Sequence, residues 1–366
     1  MDQEYTQRLV KIETELKRWL PEWPSSNQPD VTAADTALTG LSWAEKIFPG
    51  IGQKTSAETA QALTEPLSDM LSRGGKRWRP LLMTLVCETL GGGDSAIPLS
   101  PVVEFSHNAS LIHDDIEDDS DERRGKPAIH KTYGIDTAIN SASFLYFLSA
   151  SCIESPTLPA NIIKNREQIY RLWTDCMRKL HLGQAMDINW HRNISFVPGI
   201  EEYYLMCAMK TGSLADFAAE LGALCANAPQ ETARLFGEAA GKMGIGFQIL
   251  DDVYNLTTGI PGKKRGDDVV EGKKGLPILL YMQKYPEKRD KVFYCFHVAK
   301  TEGTNAPEVD ELIDMLTASG VFEEAKEKGL SYLTETRDIF GSSDYTGCSV
   351  NENSRALLNG FIKLIS

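Results

Sequence analysis

The sequence predicts an all-α protein organised as one large domain. Apolar residues recur at helical spacing along almost the whole chain, and strand-like alternation is nearly absent. No linker-like stretch interrupts residues 60–340, and no period of 20–50 residues marks a repeat array. Residues 51–366 are therefore expected to form the domain, with 1–50 as an N-terminal helix and lead-in loop. A chain of 366 residues, 42% hydrophobic and 24% charged, has ample material for a core.

Each element follows from local signals. Residues 3–20 are amphipathic and are closed by Pro21, Pro24 and Pro29, and 22–40 read as a loose lead-in rich in Pro, Ser, Asp and Thr. A helix over about 57–71 ends at Gly74-Gly75, another follows Pro80, and Gly91-Gly92-Gly93-Asp94 is a loop. Long helices are expected at about 98–118, 135–153, 161–192, 199–227 and 230–256. The stretches 201–227 and 233–250 are apolar almost all round, which marks central helices. Residues 257–274 read as a Gly- and Lys-rich loop, and 276–366 as shorter amphipathic helices wrapping the core.

Charge narrows the functional classes. Lys+Arg 38 against Asp+Glu 51 gives −13, which disfavours a general nucleic-acid binder and charge-driven docking on anionic lipid. The N-terminus lacks a signal-peptide core, and no run approaches the roughly 18 apolar residues of a membrane span. The seven cysteines are scattered through helix-like runs with no CxxC, as expected of buried free thiols in a reducing cytoplasm.

The chemistry sits in two acidic helix ends and the cations around them. Asp114-Asp115-Ile116-Glu117-Asp118 closes a helix that begins with an apolar run, and residues four apart share a face, so Asp114 and Asp118 point into one space. Residues 114–122 hold seven carboxylates at a helix C-terminus, where the macrodipole is already negative. Divalent cations would relieve that conflict, and hard oxygens with room for water and phosphate suit Mg²⁺. Taken alone, such a run is as readily a solvated acidic loop. A second pair, Asp251-Asp252, lies near the end of the apolar helix Gly246-Phe247-Gln248-Ile249-Leu250, with Asn255 where a third carboxylate would stand. Two such ends suggest facing metal-binding walls. Cations accompany both: Lys76, Arg77 and Arg79 after a double glycine, Arg123-Arg124-Gly125-Lys126, Lys263-Lys264-Arg265, and Lys273-Lys274. Each alone reads as a solvated patch; beside acidic helix ends they fit a diphosphate–Mg²⁺ site.

The ordered motifs GGKRWRP, HNASLIHDDIEDDSDERRGKPAIHKTYG, GQAMDINW, MKTGS and GFQILDDVYN resemble those of the trans-isoprenyl diphosphate synthases, with spacing most similar to geranylgeranyl diphosphate synthases. They span about residues 70–280. The resemblance implies an all-α bundle around a deep central cavity, usually a homodimer, using three Mg²⁺ per active site. It implies that Asp114 and Asp118, with Asp115 in support, bind Mg²⁺ that bridges the allylic diphosphate, and that Asp251 binds a further ion. Arg123, Lys210, Lys264 and Lys273 would hold the allylic diphosphate, with Lys263 competing with Lys264 for one position. Lys76, Arg79, His107 and Arg124 would hold the diphosphate of isopentenyl diphosphate. Thr211 and Gln248 would line the reacting centre, and Asp187 with Gln184 would support Lys210. Asn255 departs from the family pattern and weakens the second metal wall.

In such an enzyme the allylic C–O bond ionises, the isopentenyl double bond attacks the resulting cation, and proton loss leaves a chain longer by C5. Chain length follows from cavity depth. Ala109 and Ser110, just before Asp114, are small, and Phe105 is the next bulky group on that helix, about 6 Å deeper at helical rise. That favours C20 over C15. If Phe105 turns aside the product is longer, and Phe144, Tyr146 or Phe147 are alternative floors. The competing readings are a non-catalytic partner subunit and a terpene cyclase; intact acidic and basic motifs at both diphosphate sites argue against the first, and GGKRWRP with Arg124, which would serve a second diphosphate, against the second.

Overall fold

A computed structural model describes residues 3–21, 33–259, 264–343, 345 and 347–365. Apart from one short antiparallel pair, Glu122–Arg123 with Lys126–Pro127, its regular structure is helical. The all-α expectation holds. The residues group into two compact units, Met1–Thr84 with Asp94–Arg166, and Leu85–Gly93 with Glu167–Ser366.

In the first unit the helix Ser100–Glu117 packs along Ile135–Cys152, and its apolar face (Val102, Val103, Phe105, Ala109 and Ile112) is fully buried. Burying such side chains contributes about 1.5–3 kcal/mol each, which outweighs the modest helix propensity of this Ser-, His- and Asn-bearing sequence. The helix Gln3–Lys17 packs against Ser100–Glu117, and its Tyr5, Ile12 and Leu16 are buried. The helix Ala57–Ser72 is started by Ser56, whose Oγ accepts the Thr59 N–H at 3.2 Å. Residues 22–32 of the lead-in lie outside the described residues. Its later part is not loose: Ala33–Ile47 is a helix, and its Trp43, with Phe48 beyond it, packs edge-on or tilted against Phe144.

In the second unit Gln230–Leu256 is central, flanked by Ser213–Cys225 and Val321–Phe340. Glycines let the backbones meet. A Cβ on Gly244 would stand 2.6 Å from Gly212 Cα, and one on Gly246 would stand 2.8 Å from Gly329 O. The run Gly237–Gly246, read only as apolar, is thus a close-approach surface. Three expectations change here. The helix expected over 199–227 is two helices, Ile200–Cys207 and Ser213–Cys225, joined by a π-turn over Ala208–Gly212. The loop expected over 257–274 contains the short helix Asp267–Glu271. Val321–Phe340, placed among shorter wrapping helices, has 20 residues and lies against the central helix.

All seven cysteines are free, six of them buried and Cys348 half-buried. No helix among the described residues is long and apolar enough to cross a membrane.

Candidate active site

The first unit gathers one group of the expected residues at the end of Ser100–Glu117. Asp114 and Asp118 lie on one face of its last turn, both half-buried. Asp115, expected to support them as a ligand, is instead fully buried and turned to Arg123. Arg123 Nε donates to both Asp115 oxygens at 2.9 and 3.1 Å, Nη2 adds a further bond to Asp115, and Nη2 also lies 3.5 Å from Asp114. Burial acts to lower the pKa of this guanidinium, but Asp115 and Asp114 outweigh it and hold it above its ordinary value. The Asp115 carboxylate is a scaffold for Arg123, aimed from the hairpin next to Asp114. Lys131 ties down two further carboxylates, Asp119 at 2.8 Å and Asp121 at 3.4 Å.

The second group lies further back on the same helix. Arg79 Nη1 is 3.2 Å from His107 Nε2 and its guanidinium stacks on Trp78, 4.2 Å from the ring centre. Burial, then Arg79 and Arg124, push the His107 pKa well below 6.5, so the ring is neutral and Nε2 accepts from Arg79. His107 therefore orients Arg79 rather than adding positive charge. Arg124 donates to Gly74 O and, at 3.3 Å, to Asn108 Oδ1. Burial, with Arg77 and Arg123 nearby, lowers its pKa to about 10, which still leaves it charged at neutral pH. Gly75, at φ 133°, is needed here: a Cβ would stand 3.0 Å from the Arg124 guanidinium carbon. Lys76, on the same loop, is exposed.

Among the residues expected to set chain length, Ala109 and Phe105 are fully buried and Ser110 is half-buried, its Oγ donating to His107 O at 2.8 Å. Of the alternative floors, Phe147 is 68% exposed and Phe144 is packed on Trp43. Only Tyr146 turns to this helix, stacked on His113 with ring centres 5.7 Å apart.

The second unit repeats the aspartate arrangement. Asp251 is exposed, whereas Asp252 is buried and accepts from Tyr203 Oη at 2.6 Å, Gln248 Nε2 at 3.0 Å and the Leu276 N–H at 3.2 Å. Thr211 Oγ1 donates to Gln248 Oε1 at 2.7 Å, so the two expected reacting-centre residues touch. Lys210 Nζ is 2.6 Å from Asp187 Oδ2, as expected, and Gln184 is half-buried on the same helix as Asp187. Lys210 and Thr211 both sit in the π-turn, a feature frequent at functional sites. Asn255 is buried, its Oδ1 accepting the Asp268 N–H at 3.2 Å. It anchors the next turn and does not extend the acidic face.

Lys264 is exposed, its backbone N–H donating to Asp267 at 2.7 Å, and Lys263 lies outside the described residues. Lys273 pairs with Glu271. Its neighbour Lys274 is buried and donates to the carbonyls of Trp190 and Asn193 at the end of helix Arg166–Arg192; burial lowers its pKa to about 8.

The donor set fits Mg²⁺. That ion takes one or two carboxylates and fills its remaining positions with water and phosphate oxygen. In the first unit Asp114 and Asp118 offer such a pair of carboxylates, with the adjoining Asp115 charge already met by Arg123, and in the second unit Asp251 offers one exposed carboxylate. Among the described residues no three or more His, Cys, Asp or Glu side chains are grouped so as to hold a metal ion on their own.

Residues 60–316 match the polyprenyl synthetase family. A short chain isoprenyl diphosphate synthase of Methanocaldococcus jannaschii is 34% identical over 270 residues, covering 73% of this chain and 80% of that protein. A geranylgeranyl diphosphate synthase of Methanosarcina mazei is 33% identical over 275 residues, covering 74% and 80%. Among solved structures, a geranylgeranyl pyrophosphate synthase shares the fold with a TM-score of 0.79 at 22% identity, over 100% of this chain and 98% of that one.

Proposed function

The chain belongs to the polyprenyl synthetase family, and from that premise we propose that it condenses isopentenyl diphosphate with allylic diphosphates, head to tail and in trans, giving chiefly geranylgeranyl diphosphate (C20). It is a trans-prenyltransferase. One observation carries the reading of the site. A single helix, Ser100–Glu117, bears an acidic face at its end and, two turns back, the residues that hold Arg79 and Arg124. That combination suits two different diphosphates, one taken through metal and one taken directly. A cyclase handles one diphosphate and has no use for the second group.

We assign Mg²⁺ to Asp114 and Asp118, with a further ion on Asp251, three ions per active site in all; bound there, Mg²⁺ stabilises the leaving diphosphate. Arg123, aimed by Asp115, holds an allylic diphosphate oxygen, and Lys210, Lys264 and Lys273 take further shares of its charge. Lys76, Arg79 and Arg124 hold the isopentenyl diphosphate, with His107 keeping Arg79 in orientation. As the allylic C–O bond breaks, its electron pair leaves with diphosphate. The isopentenyl double bond then attacks C1, and a proton passes to the departing diphosphate. Thr211 and Gln248 fix the oxygen dipoles near the developing cation and exclude water. The small Ala109 and Ser110, with Phe105 the next bulky group on that helix, favour C20 on sequence grounds, with Phe105 as the proposed floor.

We further propose that the protein is a cytoplasmic homodimer. Ile135, Ile139 and Phe147, 57%, 44% and 68% exposed on one helix, support an interface there, and seven cysteines outside any disulfide support a reducing compartment. The test is product analysis with isopentenyl diphosphate, Mg²⁺ and, separately, C5, C10 and C15 allylic diphosphates. A dominant C20 product is expected. C15 or C25 as the end product refutes the tunnel floor, and no product from any primer with folded protein refutes the catalytic reading.

A further inference from the structure

An ionic relay, buried at Arg77, Glu104 and Asn108, ties the N-terminal helix to the cation loop, wholly within the first unit. Glu13, on Gln3–Lys17, accepts from Arg77 Nε at 2.7 Å. Arg77 Nη1 donates to Glu104 Oε1 at 2.9 Å, and Nη2 donates to Leu71 O at 2.6 Å. Glu104 is 2% exposed in the midst of Val102, Val103 and Phe105, a place where a carboxylate is costly unless paired. Its Oε1 also accepts from Asn108 Nδ2 at 2.8 Å, and Asn108 Oδ1 accepts from Arg124. Arg124 in turn donates to Gly74 O. The relay Glu13–Arg77–Glu104–Asn108–Arg124 therefore meets the loop Gly74–Arg77 at both of its ends.

The loop needs such support for two physical reasons. Arg77 has φ +46°, a backbone state that L side chains avoid, and its guanidinium is fixed at all three nitrogens. Lys76 and Arg79 flank it in the chain, and Arg77, Arg123 and Arg73 all act as like charges on Arg124 at the other end of the loop. Burial acts against the charged form of Arg77, yet Glu104 and Glu13 together hold its pKa above the ordinary value. Glu104 lies inside the family-matched span; Glu13, in a helix that precedes residue 60, does not.

We propose that Glu13 is a positioning residue: acting through Arg77, it fixes the loop that presents Lys76 and Arg79 to the diphosphate of isopentenyl diphosphate. The N-terminal helix is then a working part of that subsite and not merely a cover. This rests on the assignment of Lys76, Arg79 and Arg124 to isopentenyl diphosphate.

The test is steady-state kinetics and a calorimetric titration with isopentenyl diphosphate on full-length Glu13→Gln and Glu13→Ala, with Lys76→Ala as the reference. Glu13 is 39% exposed, so these variants remove a charge-assisted bond without opening a cavity. Each is expected to raise KM and Kd for isopentenyl diphosphate on the order of 3- to 10-fold, with KM for the allylic substrate unchanged and the melting temperature little changed. Glu13→Asp should restore part of the loss. A purely structural role would lower the melting temperature and the active fraction while leaving both KM values alone, and that result overturns the proposal. So does a rise in both KM values together. If Lys76→Ala itself leaves KM for isopentenyl diphosphate unmoved, the assignment of the subsite falls, and that failure is distinct from one seen only at Glu13.

Discussion

Gly183→Ala is the perturbation that most directly tests how the second unit holds its reacting centre. Gly183 lies on the helix Arg166–Arg192 where that helix meets the π-turn, and its missing side chain lets the backbones touch. A Cβ there would come closest to the Lys210 backbone nitrogen, and would stand 2.8 Å from both Lys210 Cα and Met209 carbonyl carbon. Ordinary contact for such atoms is about 3.5–4.0 Å, so the turn must retreat by roughly 1 Å. Overpacking of this kind costs about 1–3 kcal/mol. A 1 Å displacement of a positioned group costs on the order of 10²-fold in rate. Lys210 would move relative to Asp187, and Thr211 relative to Gln248. The assay is kcat and KM for both substrates together with urea unfolding. The expected result is a loss of kcat by one to two orders of magnitude with a small loss of stability. A Gly183→Ala protein with wild-type kcat and an unchanged unfolding midpoint would refute the argument that the backbone contact positions Lys210.

Asp114→Ala should abolish turnover while leaving stability equal or higher, since it removes a like charge at a helix C-terminus; circular dichroism and single-turnover kinetics check both halves, and near-normal turnover counts against the metal assignment. Ala109→Phe should shorten the product from C20 to C15 at a stability cost of about 1–3 kcal/mol, because Ala109 is fully buried; an unchanged product in a folded variant places residue 109 away from the tunnel. Asp216→Asn should raise stability at pH 8. Burial pushes Asp216 from 3.8 up to about 6, against the pull of Lys179 and aided by Glu238 and Asp175. Its folded form thus holds the proton more tightly than the unfolded form, so stability falls as pH rises from about 4 to 6, by at most about 3 kcal/mol. The variant should flatten that slope in urea titrations, and a variant less stable than wild type at pH 8 would show that the Asp216 charge is satisfied.

Much of this was legible in the sequence because the chemistry sits where helices end. Spacing, order and resemblance single out Asp114 with Asp118, Lys210 with Asp187, and Thr211 with Gln248; the structure puts Lys210 against Asp187 and Thr211 against Gln248. What escaped was phase. Near a helix end, adjacent aspartates differ by about 100° in direction, and composition does not say which one turns inward; Asp115 and Asp252 both do. The π-turn over Ala208–Gly212 adds one residue to an apolar run that reads as a continuous helix either way. Lys273 and Lys274 are indistinguishable as a dipeptide, yet one is ion-paired and the other lies under backbone carbonyls. Glu104 left a signal that was missed: a carboxylate inside Val102–Ser106, four residues before an asparagine, is an anomaly that asks for a buried cation. Glu13 left none, because an acidic residue on an amphipathic helix looks like any other solvated one.

The two aspartate doublets also bear on turnover. In each, one carboxylate is buried and held by the protein, Asp115 by Arg123 and Asp252 by Tyr203, Gln248 and Leu276, while its neighbour, Asp114 or Asp251, is half-buried or exposed. Upkeep of the backbone thus falls to one side chain of each doublet, and the proposed handling of cations to the other. On the proposed assignment, substitution at Asp114 or Asp251 removes an ion ligand while the hydrogen bonds of Asp115 and Asp252 stay in place, so turnover falls without loss of those anchors.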